Sequence, residues 1–258
     1  MVIQSISSEE AIRYNRQLIL PEIGPQGQIK LKQARVLIAG IGGLGSVSAY
    51  YLAAAGIGLI RVADRDHVEA GNLNRQILHG TGDIGKPKTL SALEKLRNLN
   101  PHCNIEPIQE IISDENILDM AEGCTVILDG TDNLKTRKIL NRASIQKNIP
   151  YIYGGVNGFT GMVTTFVPGR TPCLECFFSW GDAGQDKPIG IIGPVPGVIA
   201  SIQSLEAIKL VLGIGGLLTK KLLYFNGMDM TFRKIEMEKN PDCPVCGRGY
   251  EAVKEVPK

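Results

Sequence analysis

The sequence predicts an α/β fold: a Rossmann-like, largely parallel sheet continued by antiparallel strands, with a four-cysteine zinc site. Three observations lead there. Two apolar β-rich runs, Ala34–Ala39 and Leu59–Ala63, flank a helical segment, Ser46–Ala55. That β-turn-α-β spacing forces a parallel, right-handed crossover. The first run ends in Gly40-Ile-Gly-Gly-Leu-Gly45, a G-x-G-x-x-G between strand and helix. Two Cys-x-x-Cys pairs, Cys173/Cys176 and Cys243/Cys246, are separated by 66 residues.

The elements follow in order. Ser7 and Glu10 fit a capping box that opens a first helix, with Ile12, Tyr14, Leu18 and Ile19 as its apolar positions. Pro21 and Gly24 end it, and a short helix runs through Gln26–Lys32. After the first βαβ unit, helices are expected over Pro87–Asn98, Glu115–Ala121 and Leu134–Lys147. Strands are expected at Asn104–Ile108, Thr125–Leu128 and Tyr151–Tyr153. Beyond Gly154 the pattern turns to alternation in Gly158–Val167 and Lys221–Glu238. With the Asn226-Gly227 turn signal, this predicts antiparallel hairpins. Phe177–Gly193 is polar, glycine-rich and without period, and reads as a mobile loop. Val195–Leu212 is the most apolar stretch. It carries Ser201, Gln203, Ser204, Glu206 and Lys209, so it reads as a buried soluble helix. Ser201, Gln203 and Glu206 are expected to face out of it and receive no role.

The chain of 258 residues is treated as one unit in three parts: N-terminal helices over 1–33, a nucleotide-binding half over 34–153 and a second half over 154–258. Hydrophobic residues make up 43%, enough for a sizeable core. Lys and Arg number 28 against 26 acidic residues, a balance that gives no electrostatic case for nucleic acid. The start, MVIQSISSEEAIRYNRQ, lacks a basic segment followed by an apolar run, and no membrane span is predicted. The expectation is a cytoplasmic enzyme.

The glycine loop is expected to cradle phosphates. Its glycines permit positive φ and close approach of N–H groups, and the helix N-terminus adds a favourable dipole. Asp64, at the end of the second strand, suits ribose hydroxyls. Alone, the fingerprint leaves NAD, FAD and ATP open. A triphosphate needs more cationic help than a dinucleotide pyrophosphate. Arg75 and Lys88 follow the second strand and can supply it. Asp132, after the strand Thr125–Leu128, is positioned like a Mg²⁺ carboxylate. Its simpler reading is a cap on the helix at Leu134.

Five motifs carry a resemblance: Arg13-Tyr-Asn-Arg-Gln17, Gly40–Gly45, Asn72-Leu-Asn-Arg-Gln76, Gly85-Lys-Pro-Lys88 and Asp129-Gly-Thr-Asp-Asn133. In that order they resemble the ThiF/MoeB/HesA adenylyltransferases, bacterial relatives of ubiquitin-activating enzymes. The resemblance covers nearly the whole chain. It implies ATP- and Mg²⁺-dependent adenylation of the C-terminal glycine of a small ubiquitin-like sulfur-carrier protein ending in Gly-Gly. By the same resemblance Asp64 holds the ribose, Asn72, Arg75 and Lys88 contact the phosphates, and Asp132 binds Mg²⁺. Gln76 and Asn133 complete the nucleotide set with Gly40, Gly42, Gly43 and Gly45. Arg16 is implied to reach the ATP of a partner subunit, hence a homodimer.

Four thiolates in two Cys-x-x-Cys knuckles are expected to form a closed, structural Zn²⁺ site, the alternative being free thiols or a redox Cys-x-x-Cys. Many family members carry a further cysteine in the loop before a segment like Gly190–Pro194, where this chain has Asp186 or Lys187. No cysteine occurs between Cys176 and Cys243. The expectation is adenylation without a loop thioester, the activated carrier passing to an external sulfur donor or amine. Trp180, Phe177 and Phe178 either clamp the carrier's tail or anchor the loop. His67, His79 and His102 are read as structural or surface groups, Cys124 as packing beside its strand, and Asp129 as a strand-end acid satisfying backbone N–H groups. Two alternatives are an NAD(P)-dependent oxidoreductase, for which no hydride-acceptor site is found, and a silent scaffold of the same fold.

Overall fold

The computed structural model describes residues 5–178 and 190–247. The chain opens with α1 (Ser8–Arg13), α2 (Asn15–Leu18) and α3 (Gly24–Gln33). The capping box is present: Ser7 Oγ accepts from Glu10 N, and the Glu10 carboxylate accepts from Ser7 N at 2.9 Å. The helix expected to reach Ile19 breaks at Tyr14. That residue turns inward to 4% exposure, where Asn100 Nδ2 donates to its hydroxyl at 2.8 Å.

Then follow β1 (Arg35–Ala39), α4 (Gly43–Ala55), β2 (Leu59–Ala63), α5 (Lys88–Leu99), β3 (Asn104–Ile108), α6 (Ile117–Met120), β4 (Val126–Asp129), α7 (Leu134–Lys147) and β5 (Tyr151–Asn157). Helix α4 begins three residues before the expected Ser46, because the loop glycines themselves take up the first helical turn. It ends at Gly56, whose left-handed φ of 86° closes the last turn. The second half contributes β6 (Thr160–Phe166), α8 (Leu174–Phe177), α9 (Pro194–Leu212), β7 (Lys221–Asn226) and β8 (Thr231–Glu236).

The eight strands form one sheet in the order β3-β2-β1-β4-β5-β6-β7-β8. Pairs from β3 through β5 are parallel, and those from β5 through β8 antiparallel. Strand β5 is longer than expected because β6 folds back on its whole length, Tyr151 opposite Phe166 to Asn157 opposite Thr160. Side chains alternate across β1. Val36 and Ile38 join the core under α4, α5 and α9, whereas Leu37 and Ala39 join a second core under α6, α7 and α8.

Helix α9 crosses β5 and β6 and packs on α4. By length and composition it could cross a membrane, yet half of it is buried in the protein. Its polar residues correct the sequence reading. Gln203 and Glu206 do not face out but are 0% and 1% exposed. Gln203 Nε2 donates to the carbonyls of Asp129 (2.9 Å) and Ile152 (3.2 Å). The Glu206 carboxylate accepts from Thr165 Oγ1 and Leu218 N, both at 2.7 Å. A buried polar group is tolerated only with partners; these are supplied to Gln203 Nε2 and the Glu206 carboxylate, whereas Gln203 Oε1 has none among the described residues.

Candidate active site

Strands β2 and β3 lie on one side of β1, and β4 and β5 on the other. Connections therefore diverge at the carboxyl ends of β1 and β4 and leave a crevice there. Ala39 is in register with Ala63 and with Asp129. Three loops thus leave neighbouring strand ends side by side: Gly40–Gly45, the segment after Asp64, and Gly130–Asn133.

Glycine is required at Gly40 and Gly45. Gly40 has φ 87°, and a Cβ there would lie 2.6 Å from the Gly130 carbonyl oxygen. A Cβ on Gly45 would collide with the Gly40 carbonyl oxygen. These contacts let the two loops and the start of α4 approach closely. The N–H groups of Gly42 and Gly43 have no acceptor among the described residues. They sit at the positive end of α4, an arrangement that suits phosphate oxygens.

Asp64 supports this loop directly. Its Oδ2 accepts from Ile41 N at 2.9 Å and its Oδ1 from Asp66 N at 2.8 Å. Each oxygen keeps a second lone pair for a ligand hydroxyl. Asn72 is half-buried in the 70–72 turn, its Oδ1 accepting from Glu69 N. Arg75 and Gln76 follow against the loop: the Arg75 carbonyl lies under Gly43, and the Gln76 amide lies beside Gly42. The Arg75 guanidinium meanwhile donates to Gly71 O (3.0 Å) and Asn74 Oδ1 (3.1 Å). The buried Lys88 ammonium pairs with Asp66 Oδ2 at 3.2 Å.

Across the crevice, Asp132 is exposed, touched by Asn133 Nδ2 at 3.3 Å. It does not cap α7: Asn133 does, accepting from Thr136 N at 2.9 Å. That leaves the Asp132 carboxylate free of helix duty. Asp129 is instead buried and saturated. Its Oδ1 accepts from Thr131 N and Oγ1, and its Oδ2 from Arg137 Nε (3.1 Å) and Tyr151 Oη (2.8 Å). Arg137 also donates to the carbonyls of Thr131 and Gly154 and lies over the Tyr153 ring. Sequence reasoning missed Arg137; its one available signal was an arginine four residues after the helix cap, facing back to the strand end. Arg16 stands apart. Its neighbour Gln17 donates to Ala55 O at the far end of α4 (3.0 Å). The 13-residue α4 is about 18 Å long, so Gln17 marks the end of that helix opposite the glycine loop.

The four cysteines do converge, their sulfurs all within 4.8 Å of one another. Adjacent pairs are 3.9 Å (Cys173–Cys176), 3.6 Å (Cys173–Cys243) and 3.3 Å (Cys176–Cys246) apart. A tetrahedral zinc with Zn–S of about 2.3 Å spaces its sulfurs by about 3.8 Å, so the cluster has the right size. Leu174 N donates to Asn141 Oδ1 at 3.0 Å, fixing the first knuckle to α7. Phe177 and Phe178 pack edge to face and Phe178 meets Tyr153, so both rings anchor this end of the loop to the second core. Trp180, Asp186 and Lys187 lie outside the described residues. Cys124 is buried behind β4 near Arg61, as expected of a packing residue.

A doubly wound sheet with a glycine-rich turn and free amides at its switch point defines an α/β nucleotide-binding protein. Comparison with known proteins narrows this: the chain belongs to the ThiF family, whose model matches residues 14–245. It is 40% identical over 249 residues to the SAMP-activating enzyme E1 of Haloferax volcanii, covering 95% of this chain and 92% of that protein. It is 38% identical over 250 residues to the sulfur carrier protein adenylyltransferase of Thermus thermophilus, covering 93% and 92%. Among solved structures, E. coli MccB with ATP superposes with a TM-score of 0.80 at 28% identity, over 91% of this chain and 74% of that one. The chain is an ATP-using adenylyltransferase of the ThiF/MoeB type.

Proposed function

We propose that this enzyme adenylates the C-terminal glycine of a small ubiquitin-like sulfur-carrier protein, releasing pyrophosphate. The observation that carries this reading is the N–H pair of Gly42 and Gly43, without acceptors among the described residues, in a chain similar to a sulfur carrier protein adenylyltransferase. A carboxylate oxygen of the carrier attacks the α-phosphorus of ATP. The bond from that phosphorus to the bridging oxygen breaks, and pyrophosphate leaves with the electron pair. Asp64 accepts the ribose hydroxyls. Gly40–Gly45, Asn72, Arg75, Gln76 and Lys88 hold the phosphates, which requires Lys88 to exchange Asp66 for a phosphate oxygen. Asp132, with Asn133 beside it, holds Mg²⁺, which supplies charge neutralisation on the phosphates when bound. Cys173, Cys176, Cys243 and Cys246 hold a structural Zn²⁺ in a cytoplasm that keeps thiols reduced. With no cysteine between Cys176 and Cys243, the acyl-adenylate passes without a loop thioester to an external sulfur donor or amine. The test is carrier-dependent ATP–pyrophosphate exchange together with a mass spectrum of the carrier. An AMP adduct on its terminal glycine is expected; exchange without any carrier adduct would rule the acceptor out.

The same reading makes the enzyme a homodimer. Arg16 adjoins Gln17 at the end of α4 opposite its own glycine loop, which favours a site on a second copy. An open apolar groove of about 670 Å³ between α4, α9 and β8, lined by Val47, Tyr51, Ile77, Val198, Ile202 and Phe232, offers a self-associating face. Mixing Arg16→Ala with Asp132→Ala protein checks this. If Arg16 acts in trans, each mixed dimer keeps one intact site, and exchange recovers to about a quarter of wild type in a random mixture. No recovery would mean that Arg16 acts within its own chain or not at all.

A further inference from the structure

We propose that His79 is a positioning residue for the phosphate loop, clamping the Ile41 peptide through an imidazole locked in its Nε2–H tautomer. The inference rests on the adenylation reading for its consequence, but on hydrogen-bond geometry for its substance. Ile41 is the first residue inside the glycine loop, and its peptide groups are held from two sides. Its N–H donates to Asp64 Oδ2 at 2.9 Å, and its carbonyl lies 3.1 Å from His79 Nε2. Ser46 Oγ also donates to that carbonyl, at 3.3 Å.

A carbonyl only accepts, so His79 Nε2 must carry the proton. His79 Nδ1 is then an acceptor, and the Ser91 hydroxyl lies 2.9 Å away to donate to it. Ser91 Oγ in turn accepts from Lys95 Nζ at 3.3 Å. The Lys95 ammonium takes one Ser91 lone pair, and the single Ser91 O–H is shared between His79 Nδ1 and the Asp83 carboxylate. Lys95 is itself held by Asp83, whose carboxyl sits at about 2: burial opposes this, and the Lys95 ammonium and Gly80 N–H overcome it. With the neutral Nε2–H imidazole, these contacts run from Lys95 through Ser91 and His79 to the loop carbonyl. His79, Ser91 and Asp83 are buried.

The consequence lies in where the loop's dipoles point. An Ile41 carbonyl turned into the protein cannot face a phosphate, where it would repel. The next N–H groups, of Gly42 and Gly43, are left without acceptors among the described residues. Loss of the His79 donor frees that peptide and weakens nucleotide binding more than turnover. Burial, and the Lys88 and Lys95 charges, hold the His79 pKa below 6.5 against the opposing pull of the Ile41 carbonyl and Asp83; Lys86 and Tyr50 are further titratable groups near Asp83. The neutral imidazole therefore prevails above pH 6.5; protonation below it would cost the Nδ1 lone pair that faces Ser91 and leave the Nε2–H donor to Ile41 in place.

The experiment has two arms. Long-range ¹H–¹⁵N correlation on the unliganded protein reads the tautomer directly; Nε2–H is expected at pH 7.5, and Nδ1–H would overturn the clamp. Calorimetry with a non-hydrolysable ATP analogue and Mg²⁺ then compares wild type, His79→Ala and His79→Gln. His79→Ala is expected to weaken binding about tenfold, the size of one hydrogen bond, and His79→Gln, which keeps an N–H donor, to recover most of it. KM for ATP in exchange should rise with kcat nearly unchanged. Equal binding by wild type and His79→Ala, or no rescue by glutamine, would sink the proposal. Failure of wild type to bind the analogue would overturn the adenylation reading instead, and the tautomer arm decides the clamp independently of it.

Discussion

Asp132→Ala is expected to reduce carrier-dependent ATP–pyrophosphate exchange by about 10²–10³-fold while moving the melting temperature by less than about 2 °C. Asp129→Ala, three residues away, is expected to do something different: destabilise the fold by about 3–5 kcal/mol, lowering the melting temperature by about 10 °C. The two acids share a loop but not an environment. Asp132 is exposed and makes one weak contact, so its removal leaves nothing unpaired. Asp129 has a fully buried side chain with four hydrogen bonds, including the Arg137 ion pair. Burial pushes the Tyr151 hydroxyl well above its usual pKa, so it remains a donor to that carboxylate. Removing Asp129 strands a buried guanidinium and that phenol together. Exchange activity and thermal melts on both variants separate the roles. An Asp132→Ala protein that melts as early as Asp129→Ala would make Asp132 a structural acid and remove the magnesium ligand from the mechanism.

What the sequence made legible follows from which signals are local. The parallel half was readable because β1, β2 and β4 are buried on both faces and leave continuous apolar runs, with turn residues at their ends. The glycine loop, Asp64 and the two Cys-x-x-Cys knuckles were readable because their chemistry is written in residue type and short spacing. The polar residues of α9 were misread for the opposite reason. Gln203 and Glu206 look outward-facing on an apolar helix, and only the sheet topology shows that they meet the ends of β4, β5 and β6. His79 was invisible in the same way. Its partners Ile41 and Ser91 are 38 and 12 residues away, and no periodic pattern links them. The break at Tyr14 is tertiary too: local propensity favours one helix, but burial of the ring against Asn100 prevails.

Removing the metal is the second large effect, and it should be local. After Met237, whose N–H donates to Lys220 O, described residues up to Gly247 make backbone hydrogen bonds only within their own turns. Among the described residues, the sulfur cluster, with Val245, and Ile145 of α7, packed against it, attaches this segment to the rest. A metal bridging Cys173 and Cys176 to Cys243 and Cys246 closes a loop of about 70 residues, which by chain entropy opposes opening by about 4 kcal/mol, about 10³-fold. Elemental analysis should therefore find about one zinc per chain. Chelation, or Cys246→Ser, should expose the segment around the solvent-facing Lys239 to trypsin while the eight-stranded sheet stays folded. Because four thiolates leave no open coordination position, the metal has no access to substrate. Exchange by the chelated, uncleaved enzyme should persist within a few-fold. Equal resistance to trypsin with and without metal would remove the zinc clamp. Complete loss of exchange with the tail still protected would mean that the metal acts on the chemistry and not on the chain.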